Sequence, residues 1–349
     1  MVPRMSAARR IATSVLTGFL GSGKTTLLNR LLAHPAFKDA AVLINELGEI
    51  AIDHLLVRNV DENILRMSTG CLCCAMRGDM IGTMRDLYAR RARREIPRFR
   101  RMLIETTGLA DPAPILHTLM RDPLVGERFR LDGVITTVDA LNGEASLDNQ
   151  RESVKQAAMA DRLLLTKTDL ADEPTIGRLC DRLRRLNASA PIERVTHGEI
   201  DPQRLLDLGL YDAQRKGPDV IRWLAAERLV GGSSSRLAMS EAGVQPRRHD
   251  DGVRTFGLVF EAPFDWPLLA DALQGLTERF GQDLLRIKGI VNVRGEVAPV
   301  VIHGVQHVFH PPVALERWPD ADRRSRIVFI TRGIERETIE HALRVAASA

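Results

Sequence analysis

Over its first two hundred residues the chain alternates short apolar runs with amphipathic stretches. The runs at residues 11–17, 41–45, 102–105, 134–138, 163–166 and 192–195 read as strands buried on both faces. Stretches such as 25–33 and 175–186 repeat apolar residues at helical spacing between them. Strands separated by helices predict an α/β fold, a mostly parallel sheet with helices on both faces. The pattern changes after about residue 217. Gly231-Gly232-Ser233-Ser234-Ser235 and the polar run to Asp251 read as linker. Beyond it, residues 253–260, 284–293, 298–309 and 326–331 read as strands, and 266–280 and 337–347 as helices. The expected organisation is a first domain over residues 1–217, a linker over 218–252 and a smaller α+β domain over 253–349.

Charge and composition remove several classes of function. The 349 residues carry 49 Lys and Arg against 45 Asp and Glu, a net charge of +4. That balance is wrong for a chain living on nucleic acid. A hydrophobic fraction of 44% with 27% charged residues fits a soluble globular protein and not a disordered one. No apolar stretch reaches the roughly 18 to 20 residues of a membrane span. The arginines of residues 1–10 lead into a segment interrupted by Thr13, Ser14, Thr17 and Gly18, unlike a signal peptide. Four cysteines, three of them together, exclude a disulfide-stapled secreted fold. A soluble, cytoplasmic chain is expected, with neither nucleic acid nor membrane as partner.

Gly18-Phe19-Leu20-Gly21-Ser22-Gly23-Lys24-Thr25 fits G-x-x-x-x-G-K-[ST] in full, between a strand-like run and an amphipathic helix. Glycines are needed where backbone N–H groups converge on phosphate oxygens. Lys24 would neutralise the β and γ phosphates, and the Thr25 hydroxyl would ligate Mg²⁺. The sheet is therefore expected to be of the P-loop NTPase type. Thr166-Lys167-Thr168-Asp169 ends another apolar run, at the sheet edge where ligands bind. There Asp169 can accept from the N1–H and exocyclic amine of guanine, whereas adenine offers an acceptor at N1. Helix capping is the plainer job for the same Asp. Between these motifs, Glu105-Thr106-Thr107-Gly108 ends a strand with the carboxylate a Mg²⁺ site needs, and Gly108 would let the next loop approach a γ-phosphate.

Gly70-Cys71-Leu72-Cys73-Cys74 is the second strong signal. Three sulfurs at i, i+2 and i+3 can converge on one ion, and thiolates select zinc and other soft or borderline divalent metals such as cobalt. Cys180 sits at an apolar position of a helix and reads as core, so Cys71, Cys73 and Cys74 leave a coordination position open. An open site suits transfer better than permanent structure. Small buried residues and a redox pair are the other readings.

Together these motifs resemble the CobW-type GTPases. The resemblance runs through residues 17–26, which add Thr26 to the phosphate loop, and through Asn45-Glu46-Leu47-Gly48-Glu49. It continues in the C-x-C-C and E-x-x-G motifs, residues 166–169, Thr196-His197-Gly198 on the base side, and Leu284-Leu285-Arg286-Ile287-Lys288-Gly289 in the C-terminal domain. It implies slow GTP hydrolysis to GDP, Mg²⁺ at the phosphates, a divalent metal at C-x-C-C with Glu49 as a further ligand, and a client metalloprotein. Homodimer formation is compatible with it. Two departures stand out. The linker carries His249 where many relatives have a His-rich tract, and Ile44 stands where some have a carboxylate. A metal-sensing regulatory GTPase and a P-loop small-molecule kinase are the rival functions.

Two weaker features complete the reading. His303 and His307 would share one face of a strand and His310 the other, as structural histidines. The arginine-rich run from Arg90 to Arg101 reads as a solvated helix face.

Overall fold

A parallel strand covered on both faces has no polar side to display, so burial at every position is its structural signature. The structure, a computed structural model, describes residues 10–46, 64–68, 74–206, 208 and 252–348. In chain order its first unit comprises β1 (Ile11–Gly18), α1 (Lys24–Leu32), β2 (Ala40–Glu46), β3 (Ile64–Ser68), α2 (Cys74–Arg93), β4 (Arg101–Thr106), α3 (Ala113–Arg121), α4 (Pro123–Gly126), β5 (Phe129–Asp139), α5 (Gly143–Asn149), α6 (Arg151–Met159), β6 (Arg162–Thr166), α7 (Glu173–Leu186) and β7 (Ile192–Val195). Both β1 and β5 are buried throughout. The seven strands lie in the order β3-β2-β4-β1-β5-β6-β7, and every neighbouring pair is parallel. One face of this sheet packs Leu27, Leu28 and Leu31 of α1 against Leu16, Val42 and Ile135. The other packs α2, α3, α6 and α7.

The second unit comprises β8 (Val253–Phe260), α8 (Trp266–Phe280), β9 (Arg286–Val291), β10 (Val300–Val305), β11 (Val308–Phe309), β12 (Val313–Ala314), β13 (Ser325–Arg332) and α9 (Arg336–Ser348). Its strands form an antiparallel sheet, β11-β10-β9-β13-β8, with β12 also on β10. Ile287, Val291 and Phe329 cluster with Leu269 and Leu273 of α8 and Ile339 and Leu343 of α9. The opposite face meets the first unit, where Val253, Leu285, Val305, Val308 and Ile330 join its core.

That contact contains a buried ionic cluster. Alternation along β9 sends Arg286 and Lys288 to the same side, away from Ile287 and Val291. There Asp161, which directly precedes β6, accepts from Arg286 Nη2 at 2.7 Å and from Lys288 Nζ at 2.6 Å through the same Oδ1. Its Oδ2 accepts from the Val134 amide at 2.9 Å. Burial alone would raise the Asp161 carboxyl, but the two cations and that amide hold it far below the usual carboxylate range.

The histidines correct the sequence-based expectation. Gln306 adopts a left-handed φ of 52° and reverses the chain after Val305, so residues 298–309 form a hairpin, β10–β11, instead of one strand. His310 N–H consequently donates to the His303 carbonyl across the hairpin. His303 and His310 are both buried, and His307 is exposed at the turn, where its ring meets that of His117 at 4.6 Å. Burial, then Arg286 and Lys288, depress His303, with Asp161 opposing. His310 is pushed down to about 4, mainly by burial, with the Pro311 carbonyl opposing and Arg10 assisting. Two histidines kept neutral in the fold but free to protonate when unfolded give stability that is full above about pH 6.5 and lost as pH falls toward 4. Urea midpoints measured from pH 7.5 to 5 should fall by the equivalent of up to about 1.4 kcal/mol per pH unit for each histidine. A flat profile would contradict this, and His310→Gln should remove about half of the slope.

The arginine run also divides. Helix α2 ends at Arg93, Arg94 turns the chain at φ 63°, and Arg101 opens β4. Arg91 lies over the Phe99 ring and donates to the Phe99 carbonyl, so the run is not one solvated helix face.

Candidate functional site

Because every strand of the first sheet runs the same way, the loops after β1, β4, β5, β6 and β7 open on one edge. Gly18, Gly21, Ser22 and Gly23 form the turn between β1 and α1, with φ of 143°, 71° and 88° at the three glycines. The packing at Gly18 is closed. A Cβ there would lie 2.2 Å from Thr137 Oγ1 and 2.5 Å from the Thr137 carbonyl. Ser22 Oγ and Thr137 Oγ1 are 2.7 Å apart, which ties the turn to β5. Thr166 Oγ1 donates to the Ser22 carbonyl at 2.8 Å and ties it to β6. Lys24, buried at the start of α1, donates to the carbonyls of Gly18 at 2.8 Å and Phe19 at 3.1 Å. Thr25 and Thr26 follow on the first turn of the helix, half-buried and exposed respectively.

Beside this turn, Glu105 is buried near the end of β4, in register with Leu16 of β1. Thr106 Oγ1 donates to Thr17 Oγ1 at 2.8 Å and clamps the two strand ends. Gly108 lies directly against the turn, since a Cβ there would stand 2.5 Å from the Leu20 amide nitrogen.

On the other side, Thr166 ends β6 and Lys167 turns out of it at φ 55°. Lys167 Nζ donates to Asp139 Oδ2 at 2.7 Å. Burial works to raise Asp139, but the bonds from Lys167 and Asn142 and the amides of Leu141 and Asn142 leave it lowered and charged. Asp169 stands exposed beyond Lys167, its Oδ2 3.9 Å from His197 Nε2. Thr168 and Thr196 hydroxyls meet at 3.1 Å. The loop carrying Thr196 and His197 is pressed onto α1, because Arg30 Nε donates to the His197 carbonyl and Gly198 sits on the Thr26 carbonyl. Phosphate-loop helix and base-side loops thus form one connected body.

Residues 12–194 match the family described as CobW/HypB/UreG, nucleotide-binding domain, and residues 253–347 match the cobalamin synthesis protein cobW C-terminal domain. The chain belongs to the CobW family. Among CobW-family proteins it is 32% identical to the zinc chaperone YjiA of Escherichia coli strain K12 over 337 residues, 95% of this chain and 97% of that one. It is 28% identical over 367 residues to zinc-regulated GTPase metalloprotein activator 1 of Saccharomyces cerevisiae, covering 96% of this chain and 83% of the yeast protein. The crystal structure of Zn(II)-bound YjiA GTPase from E. coli superposes with a TM-score of 0.70 at 28% identity, over 97% of this chain and 99% of that one.

The nucleotide half of the CobW-type motif set is therefore gathered at one edge, from Gly108 across to His197. Of the metal half, Glu49, Cys71 and Cys73 lie outside the described residues, as does all but Gly252 of the expected linker over 218–252, and Cys74 is the first residue of α2. Cys180 is buried on α7 as expected, and burial raises its thiol. Sequence reasoning missed Thr137, Asp139 and Gln156, which hold the loops from behind. Asp139 had a visible signal, an acidic residue ending a long apolar run as Glu105 does. Gln156 had none, being one polar residue on an amphipathic helix.

Proposed function

We propose that the chain is a GTP-hydrolysing metallochaperone with slow turnover, carrying zinc or a similar divalent metal to a client metalloprotein. The arrangement that favours GTP is the meeting of Asp169 with the Thr196–His197 loop at the end of β6, tied through Arg30 and Thr26 to the phosphate-loop helix. In this reading Asp169 accepts from the guanine edge, Thr196 and His197 flank the base, and the turn from Gly18 to Thr25 cradles the phosphates. Lys24 releases the loop carbonyls to meet the β and γ phosphates. The Thr25 hydroxyl, on the first turn of α1, and the Glu105 carboxyl, near the end of β4, are hard oxygen donors that fit Mg²⁺. When bound, that ion neutralises phosphate charge. Gly108 stands next to the γ-phosphate position. Cys71, Cys73, Cys74 and Glu49 take the metal cargo. The zinc named in the E. coli and yeast relatives supports that choice of cargo.

The test is a titration of Zn²⁺ against a chromophoric chelator, with a non-hydrolysable GTP analogue and then with GDP. The two states should differ in zinc affinity by roughly 5- to 150-fold. Cys73→Ser with Cys74→Ser should abolish binding while Cys180→Ser leaves it intact. In the same series, Asp169→Asn should weaken GTP by about 1.5–3 kcal/mol and improve xanthosine triphosphate, whose edge presents a carbonyl in place of the amine. Equal zinc affinities would remove the coupling, and unchanged GTP affinity would remove Asp169 from the base site.

A further inference from the structure

Helix α6 offers two adjacent side chains to the loop that follows β4. Lys155 Nζ donates to Asp111 Oδ2 at 3.0 Å. Gln156 Nε2 donates to the carbonyls of Gly108 at 3.1 Å and Ala110 at 3.0 Å. Two carbonyl acceptors fix which end of this carboxamide is nitrogen. Gln156 is completely buried, and its Oε1 has no partner among the described residues. Its own carbonyl accepts from Thr136 Oγ1 at 2.9 Å, which fastens the residue to β5. The Gly108 peptide is therefore wedged between Leu20 of the phosphate turn and Gln156 of α6.

A buried amide engaged at one end and idle at the other is a poor choice for stability alone. It suits a loop with two arrangements. Holding the Gly108 carbonyl fixes the peptide plane that follows and directs the loop toward the phosphate turn. If the loop swings when a γ-phosphate is lost, one of its N–H groups can turn to Oε1, so a single side chain serves both states.

We propose that Gln156 is a positioning residue for GTP hydrolysis, setting the Gly108 loop against the nucleotide through its two carbonyl contacts. The proposal rests on the GTPase reading above. Gln156 touches no nucleotide, so its signature is a split between turnover and affinity. Gln156→Glu keeps the shape and replaces both donors by an oxygen facing two carbonyls. Gln156→Leu keeps the volume and removes all polarity. In both, kcat should fall roughly 10- to 100-fold while the Kd for GDP stays within about twofold of the parent. Urea unfolding of each variant separates this from a folding defect. Parental kcat in a folded Gln156→Glu chain overturns the proposal. So do GDP affinity and stability falling in step with turnover, which mark a structural role. A parent chain that binds no guanine nucleotide removes the GTPase reading itself, whereas a hydrolysing parent with an indifferent Gln156 removes only this one.

Discussion

Asp161→Ala is expected to lower unfolding stability by about 3–5 kcal/mol, because it leaves Arg286 and Lys288 facing each other in the interior without their shared anion. Asp161→Asn keeps an oxygen for the Val134 amide but turns an NH2 donor toward Arg286 and Lys288 in place of Oδ1, so it should lose most of the same stability. Lys288→Met in the Asp161→Asn background should recover part of the loss, since it removes one of the two buried cations facing that side chain. Urea unfolding at pH 7.5 gives the readout, and a loss below about 1 kcal/mol would mean that water relieves the cluster. The pH signature is distinct from that of the histidines. A carboxyl depressed in the fold contributes fully above about pH 4, and loses that contribution only as pH falls toward its folded value. Acid loss between pH 6.5 and 5 therefore reports the buried histidines, whereas loss below pH 4 reports the depressed carboxylates, Asp139 and Asp161 among them, and the Asp161 share is the part that disappears in Asp161→Asn.

Gly18→Ala should abolish nucleotide binding and cost about 3 kcal/mol or more in stability. The backbone angle of 143° lies where a side chain is strained, and the new methyl would run into the Thr137 carbonyl and hydroxyl and into Ser22 Oγ. None of these can retreat cheaply. The Thr137 carbonyl belongs to a central strand, and its hydroxyl and that of Ser22 are bonded to each other. Relief must come from moving the turn, which is the part that would meet phosphate. Gly21→Ala is the control, with a φ of 71° but no atom within 4 Å of the added methyl. It should lose about 1 kcal/mol from backbone strain and keep measurable binding. Fluorescent-nucleotide titration with urea unfolding decides both, and equal effects in the two variants would show that strain, not collision, governs the turn.

Strand positions along the central sheet were legible because two-sided burial leaves an unmistakable apolar run, and each nucleotide motif sits at the end of one. Edge strand β3 was not, since Arg66 and Ser68 break its run and it pairs only with β2 among the described residues. The hairpin at Gln306 escaped because a left-handed glutamine carries no turn signature, and the error propagated to the facing of three histidines. Asp161 and its partners were invisible for a different reason. Arg286 lies 125 residues from Asp161 and Lys288 two further on, and an Arg-x-Lys pair within a strand normally signals a solvated face. The phosphate loop was legible because its constraint is local: three glycines must bend the chain within six residues. What holds that loop in place is non-local, contributed by Thr137 and Thr166, and only folding brings these to Ser22.

The strand order carries a consequence for biosynthesis. β1 is made first but lies in the middle of the sheet, paired with β4 on one side and β5 on the other. Ile11 cannot meet its partner Phe129 until more than a hundred further residues have been synthesised. During that interval an apolar β-forming segment is solvent-facing in the nascent chain, exposed to mispairing with other chains. The earliest local structure open to it is α1, whose Leu27, Leu28 and Leu31 can cover Leu16 before either flanking strand arrives. The turn after β1 is thus made well before Thr137 and Thr166, the two threonines that tie it down.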